Sequence, residues 1–472
     1  MKVAIISTEM VPFSKVGGLA DVIGSLPLSL QKYLPITVVT PYYGQLTHNF
    51  YKKFTDSNLT PTLVKTIQIL NYNVDIYSTK IQDVNILLVY NKELFEREGI
   101  YLDKQGKPYP DEAIRYYVFS KAAIEMVQDH DIVHCNDWHT SFAVVTAKLK
   151  NLKTIFTIHN MAYQGIFEKH QFEFIQDNKE KEILFSEGDY YGKINLMKAS
   201  IQLADIISTV SPTYAYEIQN FSQFGMGLEN ILKQNSHKLI GILNGIDYDL
   251  WNPEKDKNLY QNYSKNNLHE GKNLNKTKLL EELKLKNANI LFGIVARLDY
   301  QKGFDILSQA IESLEPSTFN LVVLGTGNPE IQNNILQLAQ KYPDYISVTI
   351  SFDESLARKI YASSDFFIIP SRFEPCGLSQ MISYRYGTIP IATKTGGLKD
   401  SIIDIFENPT HGTGILIDQA DPQQLAQALK KAIQLPKEKL YQIRERIVEL
   451  DYSWNRSAQE YLKMYRSVAV EI

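Results

Sequence analysis

The sequence predicts an α/β protein of two doubly wound domains joined near its middle. Three observations carry that expectation. Short β-branched apolar runs recur, each followed by a polar turn and then a longer helical pattern. The runs are continuous rather than alternating, which means strands buried on both faces and hence parallel sheets covered by helices. The strand–helix alternation appears on both sides of a midpoint, which reads as two such domains. A chain of 472 residues is long enough to give each of them a core.

In chain order, the strands of the first half are predicted at residues 3–7, 36–40, 85–89, 131–134, 154–158 and 206–210. Those of the second half are predicted at 290–295, 321–324, 346–350, 366–369, 389–392 and 414–417. The midpoint falls at Asn244-Gly245-Ile246-Asp247, dividing the chain into 1–243 and 244–452. A polar stretch rich in Asn and Lys follows, residues 253–278, and reads as a surface connection rather than a strand or core helix. Residues 453–465 have a helical pattern through Trp454, Tyr461, Leu462 and Tyr465.

Composition excludes several classes. Hydrophobic residues are 44% and charged residues 22%, which is globular and not disordered. With 49 Lys and Arg against 53 Asp and Glu, the net charge of −4 gives no global reason to bind nucleic acid or an anionic membrane. Two cysteines, Cys135 and Cys376, make no disulfide framework, so a reducing compartment is expected. The apolar run at the N-terminus is too short for a signal peptide. No run reaches the ~18 apolar residues of a membrane span. A soluble, cytoplasmic protein is expected.

In open α/β sheets ligands bind at the carboxyl ends of strands, so the segments after each strand matter most. After the first comes Lys15-Val16-Gly17-Gly18-Leu19-Ala20-Asp21-Val22, with a helix opening at about Leu19. Paired glycines let the backbone approach a ligand, a helix start offers free N–H groups to an anion, and Lys15 adds charge. The plainer alternative is a helix-start turn with a solvated lysine. No G-x-G-x-x-G, Walker loop, H-E-x-x-H or G-x-S-x-G is present. Two more strand ends read His134-Cys135-Asn136-Asp137-Trp138-His139 and Thr157-Ile158-His159-Asn160. One cysteine among crowded histidines lacks zinc-site spacing. Asp137 and His159 are the better candidates for holding sugar hydroxyls.

In the second half, Arg297 and Lys302 lie on one loop after a strand. Arg offers a bidentate fork and Lys a point charge, which suits phosphate, although a solvated charged loop gives the same pattern. Pro370-Ser371-Arg372-Phe373-Glu374-Pro375-Cys376-Gly377-Leu378-Ser379 follows another buried strand. Pro375 suits the first turn of a helix, and the N–H groups of Gly377, Leu378 and Ser379 then form an anion site. Glu374 beside it either binds hydroxyls or a developing positive charge, or is a helix-start acid. Thr395-Gly396-Gly397-Leu398 is a further glycine pair after a strand.

Together these motifs closely resemble bacterial glycogen synthases and plant starch synthases, in that family's order and across most of the chain. The resemblance implies the GT-B fold: two Rossmann-like domains facing across a deep cleft, with 453–472 returning to the first. It implies retaining transfer of glucose from ADP-glucose to the non-reducing 4-hydroxyl of an α-1,4-glucan such as glycogen. The acceptor side falls to the first domain and the donor side to the second. No cofactor or metal is implied. Lys15, Gly17, Gly18, Arg297, Lys302, Leu378 and Ser379 would face the donor diphosphate. Asn244, Cys376 and Gly377 would face the transferred glucose, and Phe352 the base. Asp137, His159 and Glu374 would be catalytic, with Glu374 as nucleophile or as a sugar-orienting group.

Some positions depart from the family's pattern: Val16, Asn136, Lys394 and Lys399. The rival readings are a UDP-glucose enzyme acting on another acceptor, a metal-dependent transferase using Asp247-Tyr248-Asp249, and a non-catalytic nucleotide-sugar binder.

Overall fold

The computed structural model describes residues 1–469. They form two compact units, one of Met1–Asn244 with the stretch from Trp454, the other of Gly245–Ser453.

The first unit is built on a nine-stranded sheet. Its strands are β1 (Val3–Ile6), β2 (Ile36–Pro41), β3 (Thr62–Ile69), β4 (Tyr72–Ile81), β5 (Val84–Tyr90), β6 (Ile132–Asn136) and β7 (Lys153–Ile158). A small separate sheet holds β8 (Ile166–Phe167), β9 (Asp189–Tyr190) and β10 (Lys193–Asn195). The large sheet is completed by β11 (Ile206–Thr209) and β12 (Leu239–Gly241), giving the order β12-β11-β7-β6-β1-β2-β5-β4-β3.

Residue Val3 is flanked by Ile36 on one side and Ile132 on the other, both parallel. The chain therefore winds outward in both directions from β1, and the switch point lies between β1 and β6. The helix Gly18–Leu30 covers this centre with Ile23 and Leu26, and the C-terminal helix Trp454–Ala469 packs beside it through Trp454, Tyr461 and Tyr465. The fully buried Tyr465 hydroxyl meets His134 Nδ1 at 2.8 Å, and Ser457 Oγ donates to the Leu243 carbonyl at 2.7 Å.

The second unit has six parallel strands: β13 (Ile290–Val295), β14 (Phe319–Leu324), β15 (Ile346–Thr349), β16 (Phe366–Ile369), β17 (Ile389–Thr393) and β18 (Ile415–Ile417). Their order is β15-β14-β13-β16-β17-β18. That is the 3-2-1-4-5-6 order of a doubly wound dinucleotide-type domain, with its switch point between β13 and β16.

The expected strands are present, and three local readings need correction. β3 and β4 form an antiparallel extension onto β5; β3 is largely exposed and carries no continuous apolar run. The stretch 253–278 is not only a connection, because the helix Leu268–Glu282 begins inside it. That helix buries polar residues. Lys272 Nζ donates to the carbonyls of Ala362 (2.9 Å) and Tyr386 (3.0 Å) and to Thr388 Oγ1 (2.8 Å), while Lys276 pairs with Asp365 at 2.7 Å. Satisfied hydrogen bonds make that burial tolerable and leave no apolar stripe to read. Third, Pro375 is not in a helix, since the helix after β16 is Ser379–Arg385. Gly377 at φ +76° turns the chain before it can start.

Candidate active site

Each unit collects polar groups at the carboxyl ends of the strands flanking its switch point. In the first unit these follow β1, β6 and β7, which are neighbours in the sheet. Past β1, the buried Glu9 carboxylate accepts the N–H of Gly17 at 3.0 Å and of Val16, and the Tyr101 hydroxyl at 2.6 Å. Burial pushes this carboxyl up, and its three donors oppose that. Lys15 Nζ holds both oxygens of Asp21, at 2.7 and 2.8 Å. The loop expected to meet an anion is therefore held here by the chain's own carboxylates. Gly17 and Gly18 are exposed, and a Cβ on either would meet no atom within 4 Å. Open space, not packing, lies beside them.

Past β6, Asp137 has φ +59° and ψ 172°, a region nearly confined to glycine that costs about 1–3 kcal/mol. The surroundings impose it: its N–H donates to the Thr157 carbonyl at 2.9 Å, and its Oδ1 accepts the His159 N–H at 2.8 Å. Burial pushes the Asp137 carboxyl up to about 7. His159, past β7, bonds Asn136 Oδ1 through Nε2 at 2.9 Å. The Asn136 amide nitrogen faces the carbonyls of Ile6 (3.2 Å) and His134 (3.4 Å), so its oxygen must be the group facing the ring. His159 Nε2 then carries the proton, and Nδ1 is free to accept. Burial pushes this imidazole down to about 3.

A prediction follows for this pair. Asn136→Asp puts a carboxylate on Nε2 and favours the imidazolium, so the His159 titration should rise well above about 3. NMR of the ring nitrogens over pH 4–8 checks this, and a ring neutral throughout in the variant would contradict it.

His134 and His139, on the same strand end, are engaged with the fold, although His139 Nδ1 is buried with no partner among the described residues. His134 uses both ring nitrogens, on Tyr465 and on Thr157 Oγ1 (2.6 Å), and the His139 ring stacks on Trp138 at 4.0 Å. Among the described residues no group of three or more His, Cys, Asp or Glu side chains could hold a metal ion. Asn244, at the end of the unit's first segment, is buried with its Oδ1 unpaired. An unpaired buried acceptor is costly and marks a position that a ligand donor could satisfy.

In the second unit the groups follow β13, β16 and β17. Lys302 Nζ lies 2.7 Å from Glu374 Oε2, which also accepts from Ser371 Oγ at 3.0 Å. Both charged side chains are largely buried, at 22% and 10% exposure. Glu374 precedes the helix by five residues and faces a cation, so the reading as a helix-start acid fails. Arg297 is separate from this pair: its side chain is 66% exposed and meets Asp299 at 3.2 Å. Asp299 Oδ1 also accepts the Lys302 N–H at 2.8 Å, so one carboxylate organises the loop that carries both cations.

Two glycines are sterically required. A Cβ on Gly303, at φ +78°, would lie 1.9 Å from the Pro370 carbonyl oxygen, and one on Gly396, at φ +46°, 1.8 Å from that of Glu374. The turn after β17 is thereby pressed onto the Glu374 backbone, where the Gly397 N–H donates to the Glu374 carbonyl at 3.1 Å. A small recess of about 80 Å³ opens here, lined by Ala296, Lys302, Phe304, Ser371, Glu374 and Ser379. Cys376 is buried beside Gly377, and Leu378 immediately precedes the helix that Ser379 begins, without capping it. Phe352, after β15, is 94% exposed.

The structure thus joins Lys302 with Glu374, and Asp137 with His159. It adds Glu9 and Tyr101, which sequence reading missed. Glu9 lies just past β1, in a strand-end segment where the glycine pair and Lys15 were the stronger signal; Tyr101 sits in a loop with no periodic signal.

Residues 2–234 match the starch synthase catalytic domain family, and residues 275–449 match the group 1 glycosyl transferases. The chain is 40% identical over 488 residues to glycogen synthase of Thermosipho melanesiensis, covering 98% of each chain. It is 38% identical over 488 residues to glycogen synthase of Fervidobacterium nodosum, covering 99% of this chain and 98% of the relative. A similar solved structure is the catalytic domain of Arabidopsis thaliana starch synthase IV bound to ADP and acarbose. It has a TM-score of 0.84 and 32% identity, with 99% of each chain covered.

Proposed function

The chain belongs to the glycogen and starch synthase family of GT-B hexosyltransferases, and from that premise we propose that it transfers glucose from ADP-glucose to the non-reducing 4-hydroxyl of an α-1,4-glucan, with retention. The observation that carries this reading is the buried Lys302–Glu374 pair at the switch point of the second unit, which supplies a cation for a leaving diphosphate and a carboxylate for an electron-poor sugar carbon.

As the bond from the anomeric carbon to the diphosphate breaks, positive charge grows on the sugar and negative charge on the leaving group. Lys302, Arg297 and the N–H groups at Leu378 and Ser379 stabilise the leaving group. Such preorganised donors act with little reorganisation when charge develops. Glu374 faces the anomeric carbon, and Asn244, Cys376 and Gly377 hold the sugar's hydroxyls. Lys15 exchanges Asp21 for the diphosphate, and the open side of Gly17 and Gly18 admits the donor. Asp137 and His159 bind the transferred glucose, His159 accepting a hydroxyl proton at Nδ1. Phe352 covers the base. The first unit takes the glucan acceptor and the second the donor nucleotide.

The exposed carboxylates of Asp247-Tyr248-Asp249 do not form a metal site in this reading. Asp247 Oδ1 accepts the N–H groups of Asp249 (2.9 Å) and Leu250 (3.1 Å) and shapes a turn. Activity is therefore expected to persist in excess EDTA. Loss of turnover that Mn²⁺ or Mg²⁺ restores would overturn the assignment.

No helix among the described residues is long and apolar enough to cross a membrane. The two cysteines, Cys135 and Cys376, are both buried thiols outside any disulfide among the described residues. A cytoplasmic setting fits those thiols.

A further inference from the structure

The hairpin between β9 and β10 has a turn of two residues, Tyr191 and Gly192, since Tyr190 pairs with Lys193. Both have positive φ, +51° and +84°. Such turns favour Asn-Gly or Gly-Gly, because a bulky side chain is strained there. The Tyr191 ring is moreover 90% exposed. Two other hairpin residues share this backbone region, and both are compensated: Leu70 is half-buried, and the Gln82 amide oxygen accepts from Gln31. Among the described residues, the ring contact of Tyr191 is edge-on with Tyr190, with ring centroids 4.8 Å apart. Tyr190 is seated in turn over Gly227, where a Cβ would lie 2.3 Å from its hydroxyl. A local rule broken without gain to the fold points to function.

We infer that Tyr191, backed by Tyr190, is a stacking platform for an α-glucan chain on the first unit. This rests on the glucan-transferase reading above. A pyranose ring presents a C–H face to an aromatic ring and a rim of hydroxyls around it. The turn offers both complements. The strands flanking the turn carry Asp189 and Lys193, in the ion pairs Lys169–Asp189 (3.2 Å) and Lys193–Glu168 (2.9 Å), surface donors and acceptors suited to hydroxyls.

Tyr191→Asn tests the platform without endangering the fold, because Asn-Gly is the preferred pair for such a turn. Glycogen and maltoheptaose binding would be measured by affinity electrophoresis and titration, beside melting temperature, oligomeric state and the KM values of both substrates. The expected result is glucan affinity about three- to tenfold weaker, with melting temperature equal or higher and the ADP-glucose KM unchanged. Tyr191→Phe should retain wild-type affinity. Unchanged glucan affinity in an active Tyr191→Asn enzyme overturns the platform and leaves the proposed function standing. A lower melting temperature makes the residue structural, and loss of a wild-type dimer makes the occupant a second copy; either overturns the inference. Wild-type protein that neither binds glycogen nor releases nucleotide overturns the proposed function itself.

Discussion

Glu374→Gln is expected to bind donor nearly as the wild type does and to turn over roughly 10²–10³-fold more slowly, a barrier increase of about 2.7–4 kcal/mol. The substitution keeps size and hydrogen-bonding capacity, so the amide oxygen still accepts from Ser371 and Lys302, now at 3.0 and 2.7 Å. What it removes is the charge that would stabilise an electron-poor anomeric carbon. If Glu374 only orients hydroxyls, the loss is smaller and shared between kcat and KM. Leaving Lys302 beside a neutral partner should lower stability by about 1–3 kcal/mol. Assays therefore belong well below the variant's melting point. Calorimetry of donor binding with turnover by nucleotide release separates charge from geometry, and wild-type kcat in the folded variant would refute the catalytic role.

Lys302→Ala should lower kcat/KM by about 10²-fold or more, and Arg297→Ala by a similar factor. The structure separates the two in stability. Lys302 is the buried partner of Glu374, so its removal strands a carboxylate and should cost about 3–5 kcal/mol. Arg297 is mostly exposed and, among the described residues, pairs only with Asp299, so its removal should leave the fold within about 1 kcal/mol of wild type. Chemical denaturation beside steady-state kinetics checks both. Arg297→Ala is the cleaner probe of leaving-group stabilisation, and activity within threefold of wild type for both variants would sink the role of this loop.

The parallel strands of both units were legible because burial on both faces leaves continuous apolar runs such as Ile290–Val295 and Phe366–Ile369. The helix Leu268–Glu282 was not, because Lys272, Asn275 and Lys276 are buried through hydrogen bonds that no hydrophobic pattern records. The exposed strand Thr62–Ile69 was missed for the opposite reason, having little to bury. At the site, glycines and cations after strands showed in the sequence, but their partners did not. Nothing in the spacing says that Lys302 rests on Glu374 while Arg297 lies outside with Asp299, or that Glu9 fills the amides of the Lys15 loop. Those pairings arise from strand order, which places residues 72 positions apart at one switch point.

The most direct test of the account is nucleotide release from ADP-glucose and from UDP-glucose, each with and without glycogen. The account predicts that ADP is released rapidly only when glycogen is present, and that UDP-glucose is the poorer donor. Release from neither donor in the presence of glycogen, or release that glycogen does not accelerate, would contradict it.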